Sequence, residues 1–275
     1  MLFTAQLRNG VLALVEHLGR AGARSRLALG TLSAIVACGV AVAVLTIPVS
    51  VPGQARPPAS SAAAHTRQLV RPAVLAVMPG WTMIVTLRGA VPRYASPSGR
   101  RDGTVAADWY RRPLALPVIG QRPGWVRVRL PTRPNGSTAW LRTGQLAFSA
   151  TPYRIVVDLA TRHLTMLRAN HVVLNAPAGI GTGSDPTPAG QFFVAFREQS
   201  PSAGYGPFIL VTSAHSTAIA DWQGSGDAVI GIHGPLGAAI GASGVVVSHG
   251  CIRLPIRDLV RLAGLPAGTP ITITA

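Results

Sequence analysis

The chain has no lysine: its 25 basic residues are all arginine, set against only nine Asp and Glu. No site chemistry requires lysine to be missing everywhere, so a GC-rich coding bias accounts for the absence better than function does. Cysteine is almost absent too, with only Cys38 and Cys251 among 275 residues. The paired-cysteine spacing of common zinc sites is therefore missing. Aromatic residues make up only 5%. No internal repeat is present. An uncharged, strongly apolar run extends from Leu27 to Val51.

The shortage of acids is uneven, which locates the formal charge of +16. Residues 1–26 hold four Arg and one Glu (+3), residues 56–150 hold fourteen Arg and two Asp (+12), and residues 151–275 hold seven Arg and six acids (+1). The basic charge thus belongs to the middle of the chain. It suits an anionic surface such as phospholipid or a wall polymer. Nucleic acid would suit the charge alone, but the topology read next excludes it as an expected partner.

The uncharged run from Leu27 to Val51 exceeds the roughly 20 apolar residues that cross a bilayer. It is also longer than the ~7–15 residue core of a cleaved signal peptide. Arginines precede it and none lies within it, so the positive-inside rule places residues 1–26 in the cytoplasm and the remainder outside. The expectation is a single-pass signal-anchor at 27–51. Cleavage near Gly53-Gln54-Ala55 and lipidation at Cys38 are the alternatives. Residues 52–77 are rich in Pro, Ala and Ser and read as a linker.

From 78 to 149 the pattern is short and β-like: Thr82–Leu87, Val91–Ala95, Leu114–Ile119, Trp125–Leu130 and Ala139–Leu141. In Trp125–Leu130 one face carries Trp125, Arg127 and Arg129 and the other Val126, Val128 and Leu130, the alternation of a half-buried strand. Frequent turn signals, among them Pro134-Asn135-Gly136, suggest a small barrel. The stretch Trp125–Leu141 resembles bacterial SH3-like wall-associated domains. Trp125 and Trp140 fit packing better than a ligand groove. Beyond residue 150 a meander of strands runs through Arg154–Asp158, His163–Arg168 and His171–Leu174. Further β segments follow at Gln191–Phe196, Phe208–Thr212, Val229–Ile232, Gly244–Val247 and Ile271–Thr274. One helix is expected at Pro255–Leu262, with Pro in its first turn and Gly264 and Pro266 after it. The fold class is mostly β, with one or two short helices.

Cys251 lies in Ser248-His249-Gly250-Cys251-Ile252-Arg253. An exported thiol without a disulfide partner, near histidines, is a candidate nucleophile. It needs a base. His249 would share its face in an extended strand, and His233 ends the strand segment Val229–Ile232; periodicity does not choose between them. Gly250 leaves the backbone open to a carbonyl, and the amides of Gly250 and Cys251 could receive an oxyanion. The start of the helix at Pro255 would add a positive dipole end. The plain alternative is a buried structural cysteine.

Ile232-His233-Gly234, then Ser248-His249-Gly250-Cys251-Ile252-Arg253 after fourteen residues from 234 to 247, resembles the signature of L,D-transpeptidases with a YkuD-like catalytic domain. Thr187-Pro188-Ala189-Gly190-Gln191-Phe192 and Tyr205-Gly206-Pro207 extend the resemblance, which covers about 152–275. It implies a β-sandwich catalytic domain over 150–275, with Cys251 as nucleophile and His233 as general base. The Gly234 carbonyl would orient the imidazole, and His249, Gly250 and Cys251 would offer backbone donors. Ser248 would support the loop, Arg253 would position the loop or a substrate carboxylate, and Tyr205 is a lid candidate. The substrates implied are peptidoglycan stem peptides, donor and acceptor, joined 3→3 through a Cys251 acyl-enzyme with loss of D-Ala. No metal or cofactor is implied. The competing functions are an L,D-carboxypeptidase and a non-catalytic wall-binding protein. A low-pKa exported thiol would also be prone to sulfenic acid formation.

Overall fold

A computed structural model describes residues 78–222 and 224–275. The expected basic tail (1–26), signal-anchor (27–51), linker (52–77) and Cys38 lie outside the described residues. Among the described residues no helix is long and apolar enough to cross a membrane.

The chain forms, in order, β1 (Thr82–Leu87), β2 (Val91–Tyr94), β3 (Arg101–Val105), β4 (Asp108–Trp109), β5 (Arg112–Pro113), β6 (Ala115–Arg122), β7 (Trp125–Arg129), β8 (Thr138–Arg142) and β9 (Leu146–Thr151). Seven of these make one sheet in the order β3-β2-β8-β7-β6-β1-β9, and β4 pairs with β5. β7 shows how the pattern works. Val126 and Val128 are buried and Arg127 is exposed, as the alternation requires. Trp125 departs from that pattern, being buried although it is on the arginine face. Its ring meets Tyr94 edge-on at 5.0 Å and the Arg142 guanidinium lies 4.7 Å over it, so neighbours on the outer face cover it.

The second half contributes β10 (Tyr153–Asp158), β11 (His163–Arg168), β12 (His171–Pro177), β13 (Ile180–Gly181), β14 (Gly190–Gln199), β15 (Phe208–His215), β16 (Val229–His233), β17 (Val246–Ser248), β18 (Ile252–Arg253) and β19 (Pro270–Thr274). Eight strands form a sheet in the order β12-β11-β10-β19-β14-β15-β16-β18, and β13 pairs with β17. The β11–β12 hairpin turns at Ala169 and Asn170, both at positive φ, the geometry that two-residue hairpin loops favour.

β14 positions everything else. Alternate residues point to opposite faces of a strand, and here both faces are buried. Phe192 and Val194 join Ile155, Leu210, Ile230, Ile232 and Leu254 in one core. Phe193 and Ala195 join Val85, Leu116, Val128 and Leu141 in the other. The run Phe192-Phe193-Val194-Ala195 is continuous and apolar because it serves two cores at once. The two halves are thus packed through β14, and β9 is separated from β10 by Pro152 alone.

The expected helix at Pro255–Leu262 shrinks to one turn, α1 (Ile256–Leu259), followed by a 3-10 turn at Val260–Leu262. Leu259 and Leu262 are fully buried while Ile256 and Val260 stay exposed. A single turn sums few peptide dipoles, so the dipole expected beside the thiol is slight.

Candidate functional site

Parallel pairing of β16 with β18 sets Ile232 against Ile252 and His233 against Arg253. Cys251, immediately before β18, therefore lies beside Gly231, whose N–H points at Sγ over 3.4 Å. Gly231 and His233 are two apart on one strand and share a face. The pairing register thus brings the thiol and the His233 imidazole to the same side of the sheet. It leaves His249 elsewhere: that ring is exposed and packs against Trp222 at 5.2 Å.

His233 is 2% exposed, and its Nδ1 lies 2.7 Å from the Gly234 carbonyl. A carbonyl only accepts, so Nδ1 carries the proton. Burial disfavours the imidazolium and outweighs the pull of that carbonyl, lowering the pKa to about 4, with the Arg253 charge adding to the drop. The ring is neutral at physiological pH, and Nε2 is left with its lone pair.

Burial likewise pushes the Cys251 thiol up, against smaller downward pulls from the Gly231 N–H and the Arg253 charge. This corrects the expectation of a low-pKa thiolate: burial favours the neutral thiol, as it favours the neutral imidazole on the same side of the sheet. Tyr205 completes the surroundings. Its ring is 4.8 Å from that of His233 and its carbonyl accepts the Gly234 N–H at 2.7 Å. Burial and then the Cys251 charge raise its phenol, with Arg253 opposing, so it stays protonated. The Tyr205 backbone can come this close because residue 234 is glycine, where an added Cβ would sit 2.8 Å from the Tyr205 carbonyl.

The loop bearing the thiol is held by its own polar groups. The Ser248 hydroxyl donates to the Cys251 carbonyl at 2.6 Å and accepts the Gly250 N–H at 3.1 Å. The Thr187 hydroxyl donates to the Gly250 carbonyl at 2.8 Å and accepts the Gly181 N–H at 2.9 Å. Gly250 sits at φ +106, and an added Cβ would meet Ile230 Cδ1 at 2.8 Å. The Gly250 amide, expected as an oxyanion donor, is therefore already committed to Ser248. Among the described residues the amides of His249 and Cys251 have no protein acceptor. Arg253 exchanges backbone hydrogen bonds with Gly179 at 2.8 Å each, and its side-chain Nε is buried without a partner.

The sequence assigns no role to Thr187 and gives no signal for Gly231 or Trp222. Thr187 was visible only as a polar residue in a motif; its two hydrogen bonds span long separations that no spacing rule reveals. Among the described residues no three His, Cys, Asp or Glu side chains gather as a metal site would require. A neutral thiol, a neutral imidazole with a free lone pair and two unpaired amides suit acyl transfer through a thioester.

Residues 152–273 match the family model of YkuD, the L,D-transpeptidase catalytic domain. YkuD of Bacillus subtilis strain 168, a candidate L,D-transpeptidase, is 32% identical over 123 residues, which is 44% of this chain and 66% of that protein. Its counterpart in Bacillus licheniformis is 32% identical over 124 residues, 45% of this chain and again 66% of the relative. The matched stretch therefore spans just under two thirds of these curated relatives. An L,D-transpeptidase structure from Mycobacterium smegmatis is 17% identical, covering 55% of this chain and 91% of that one with a TM-score of 0.37. The family model and the two curated relatives point the same way: residues 152–273 are similar to the L,D-transpeptidase catalytic domain of YkuD.

Proposed function

We propose that the protein is a peptidoglycan L,D-transpeptidase that forms 3→3 crosslinks between stem peptides. The observation that carries this reading is the neutral His233 ring, its proton fixed on Nδ1 by the Gly234 carbonyl, on the same side of the sheet as the Cys251 thiol. In the first step Nε2 takes the thiol proton as sulfur attacks the carbonyl of the third residue of a donor stem. The oxyanion is received by the amides of His249 and Cys251. The tetrahedral intermediate then collapses to a thioester, and the imidazolium gives its proton to the departing D-Ala amine. In the second step a side-chain amine of an acceptor stem attacks the thioester, its proton passes to His233, and the thiol is regenerated. Gly250 serves by its backbone shape, Ser248 and Thr187 hold the loop, Arg253 faces a substrate carboxylate, and Tyr205 covers His233.

The location belongs to the same proposal: the run 27–51 anchors the chain in the cytoplasmic membrane and the catalytic domain works on the wall side. Residues 78–149 then act as an SH3-like wall-associated domain. Its charge supports contact with an anionic wall polymer. Cross-strand pairing lines up Arg101, Tyr94, Trp140 and Arg127 in one row, and burial and the adjacent Arg127 lower the Arg129 pKa. Such crowding of like charges is relieved by a bound polyanion.

The deciding experiment incubates the full chain with tetrapeptide stems and reads products by mass spectrometry. Crosslinked dimers, lost in Cys251→Ala, are expected. Release of D-Ala without dimers would replace crosslinking by L,D-carboxypeptidase action, and no acyl adduct on Cys251 would leave a wall-binding role.

A further inference from the structure

One polar cluster joins the two halves of the chain away from the reaction centre. It lies between the loop after β7 and the segment 216–228 that links β15 to β16. Arg133 Nε donates to Asp227 Oδ1 at 3.0 Å, and its two terminal nitrogens donate to the carbonyls of Ser216 and Ile219 at 2.8 and 3.1 Å. Asn135 pairs with the His215 backbone, donating Nδ2 to its carbonyl at 2.7 Å and accepting its N–H at 2.9 Å. The buried His215 ring places Nδ1 2.9 Å from Asp227 Oδ2 and Nε2 3.3 Å from the Pro131 carbonyl. Burial alone would raise the Asp227 carboxyl; hydrogen bonds from His215, the Ala228 amide and Arg133 outweigh it and hold the pKa below the usual range.

The same Asp227 fixes its own segment. Its carbonyl accepts the Trp222 N–H at 2.9 Å and the Ser225 hydroxyl at 2.5 Å. Trp222, 39% exposed, lies with its ring 5.2 Å from His249, two residues before the nucleophile. Gly224 and Gly226 both take positive φ, so the segment has little local stiffness of its own. A large, exposed aromatic beside the nucleophile loop is thus held by contacts that lead back to the other half of the molecule.

We propose that Arg133 is a positioning residue for the reaction: through Asp227 it holds Trp222 against His249 as a wall of the nucleophile loop, against which the stem peptide packs. The substrate named here rests on the function proposed above. The guanidinium makes three directed bonds at once, which a lysine ammonium cannot reproduce in that planar arrangement.

The test uses the full chain. Arg133→Gln and Trp222→Ala are each expected to raise KM for tetrapeptide stems by about 5- to 20-fold while kcat stays within about twofold, the signature of lost ground-state binding. The double variant should be no worse than Trp222→Ala alone, because both remove the same wall. Multiplied effects, or a kcat loss with KM unchanged, would overturn the proposal. A second readout needs no turnover: the His249 imidazole signals, assigned with His249→Asn and followed by NMR, shift when the Trp222 ring is removed. Arg133→Gln should move them the same way, and an unchanged His249 spectrum would refute the link. Should Arg133→Gln unfold, Arg133→Lys takes its place in both arms with the same expected direction. If stem peptides never acylate Cys251 in the unaltered protein, the proposed function fails and the NMR arm alone decides the positioning role.

Discussion

The depressed pKa of His233 makes stability depend on pH in a defined window. Its folded value is about 4 against an ordinary 6.5, a gap of about 2.5 units, or about 3 kcal/mol at 1.36 kcal/mol per unit. The direction follows from proton counting. The unfolded chain binds the His233 proton more tightly, so lowering the pH favours unfolding. The contribution is fully present above about pH 6.5 and is lost as pH falls toward about 4. Roughly 2 kcal/mol is gone by pH 5 and about 3 by pH 4. His233→Gln removes the titration while keeping a donor for the Gly234 carbonyl. Urea unfolding of both proteins between pH 7 and 4, taken as a difference, cancels the other titrating groups. That difference should shrink by about 3 kcal/mol across the window, and acylation of Cys251 should lose its base with an acid limb near pH 4. A flat stability difference, or a His233 NMR titration centred near 6.5, would refute the account of the buried neutral imidazole.

Thr187→Val keeps the shape of the side chain but leaves the Gly181 N–H and the Gly250 carbonyl without their buried partner. At ~1–3 kcal/mol for each unsatisfied group, thermal unfolding should fall by about 5–15 °C at roughly 2–4 °C per kcal/mol, and acylation should slow because the Cys251 loop loosens; an unchanged melting temperature would show that the hydroxyl is not needed. Gly250→Ala forces a side chain onto φ +106 and within 2.8 Å of Ile230 Cδ1, so a stability loss of about 1–3 kcal/mol by denaturant titration should accompany slower thioester formation. Phe193→Ala, which hollows the core on the far face of β14, should cost about 3–5 kcal/mol and, because β14 joins both cores, should lower the unfolding transition reported by probes in either half; loss confined to one half would argue against a shared core.

Local patterns are legible in the sequence where a strand has one wet and one dry face. β11 and the Ala169-Asn170 turn follow from alternation and turn chemistry alone, and β7 follows from Val126 and Val128. The pattern misled where packing overrode it. Trp125 is buried on the arginine face because Tyr94 and Arg142 cover it, a cross-strand arrangement no single strand encodes. The helix at Pro255–Leu262 has helical spacing but tightens after Leu259, since Leu259 and Leu262 three apart both turn into the core. At the site, the resemblance supplied the pairing of Cys251 with His233 over the nearer His249. The physical reason lies in the β16–β18 register, a contact between residues about twenty apart in sequence. The Arg133–Asp227–His215 cluster was invisible for the same reason: its members lie far apart in sequence and become neighbours only once β15 and β16 bracket the segment 216–228.

Under the proposed function, the neutral resting groups constrain how a thioester would form. Moving the proton from the Cys251 thiol, which burial pushes up, to an imidazole that burial lowers to about 4 is uphill. A thiolate–imidazolium pair formed ahead of attack would therefore be scarce and would slow acylation. The cost is avoided if the proton leaves sulfur as the carbon–sulfur bond forms, because the negative charge then passes onto the substrate oxygen, where the amides of His249 and Cys251 await it. A proton in flight in the rate-determining step should give a normal solvent isotope effect on single-turnover acylation. His233→Gln should abolish that effect along with most of the rate. An isotope effect of unity in the unaltered protein would mean that the proton has moved before attack, and the charges around Cys251 would then have to favour the ion pair that burial and the Arg253 field on His233 oppose.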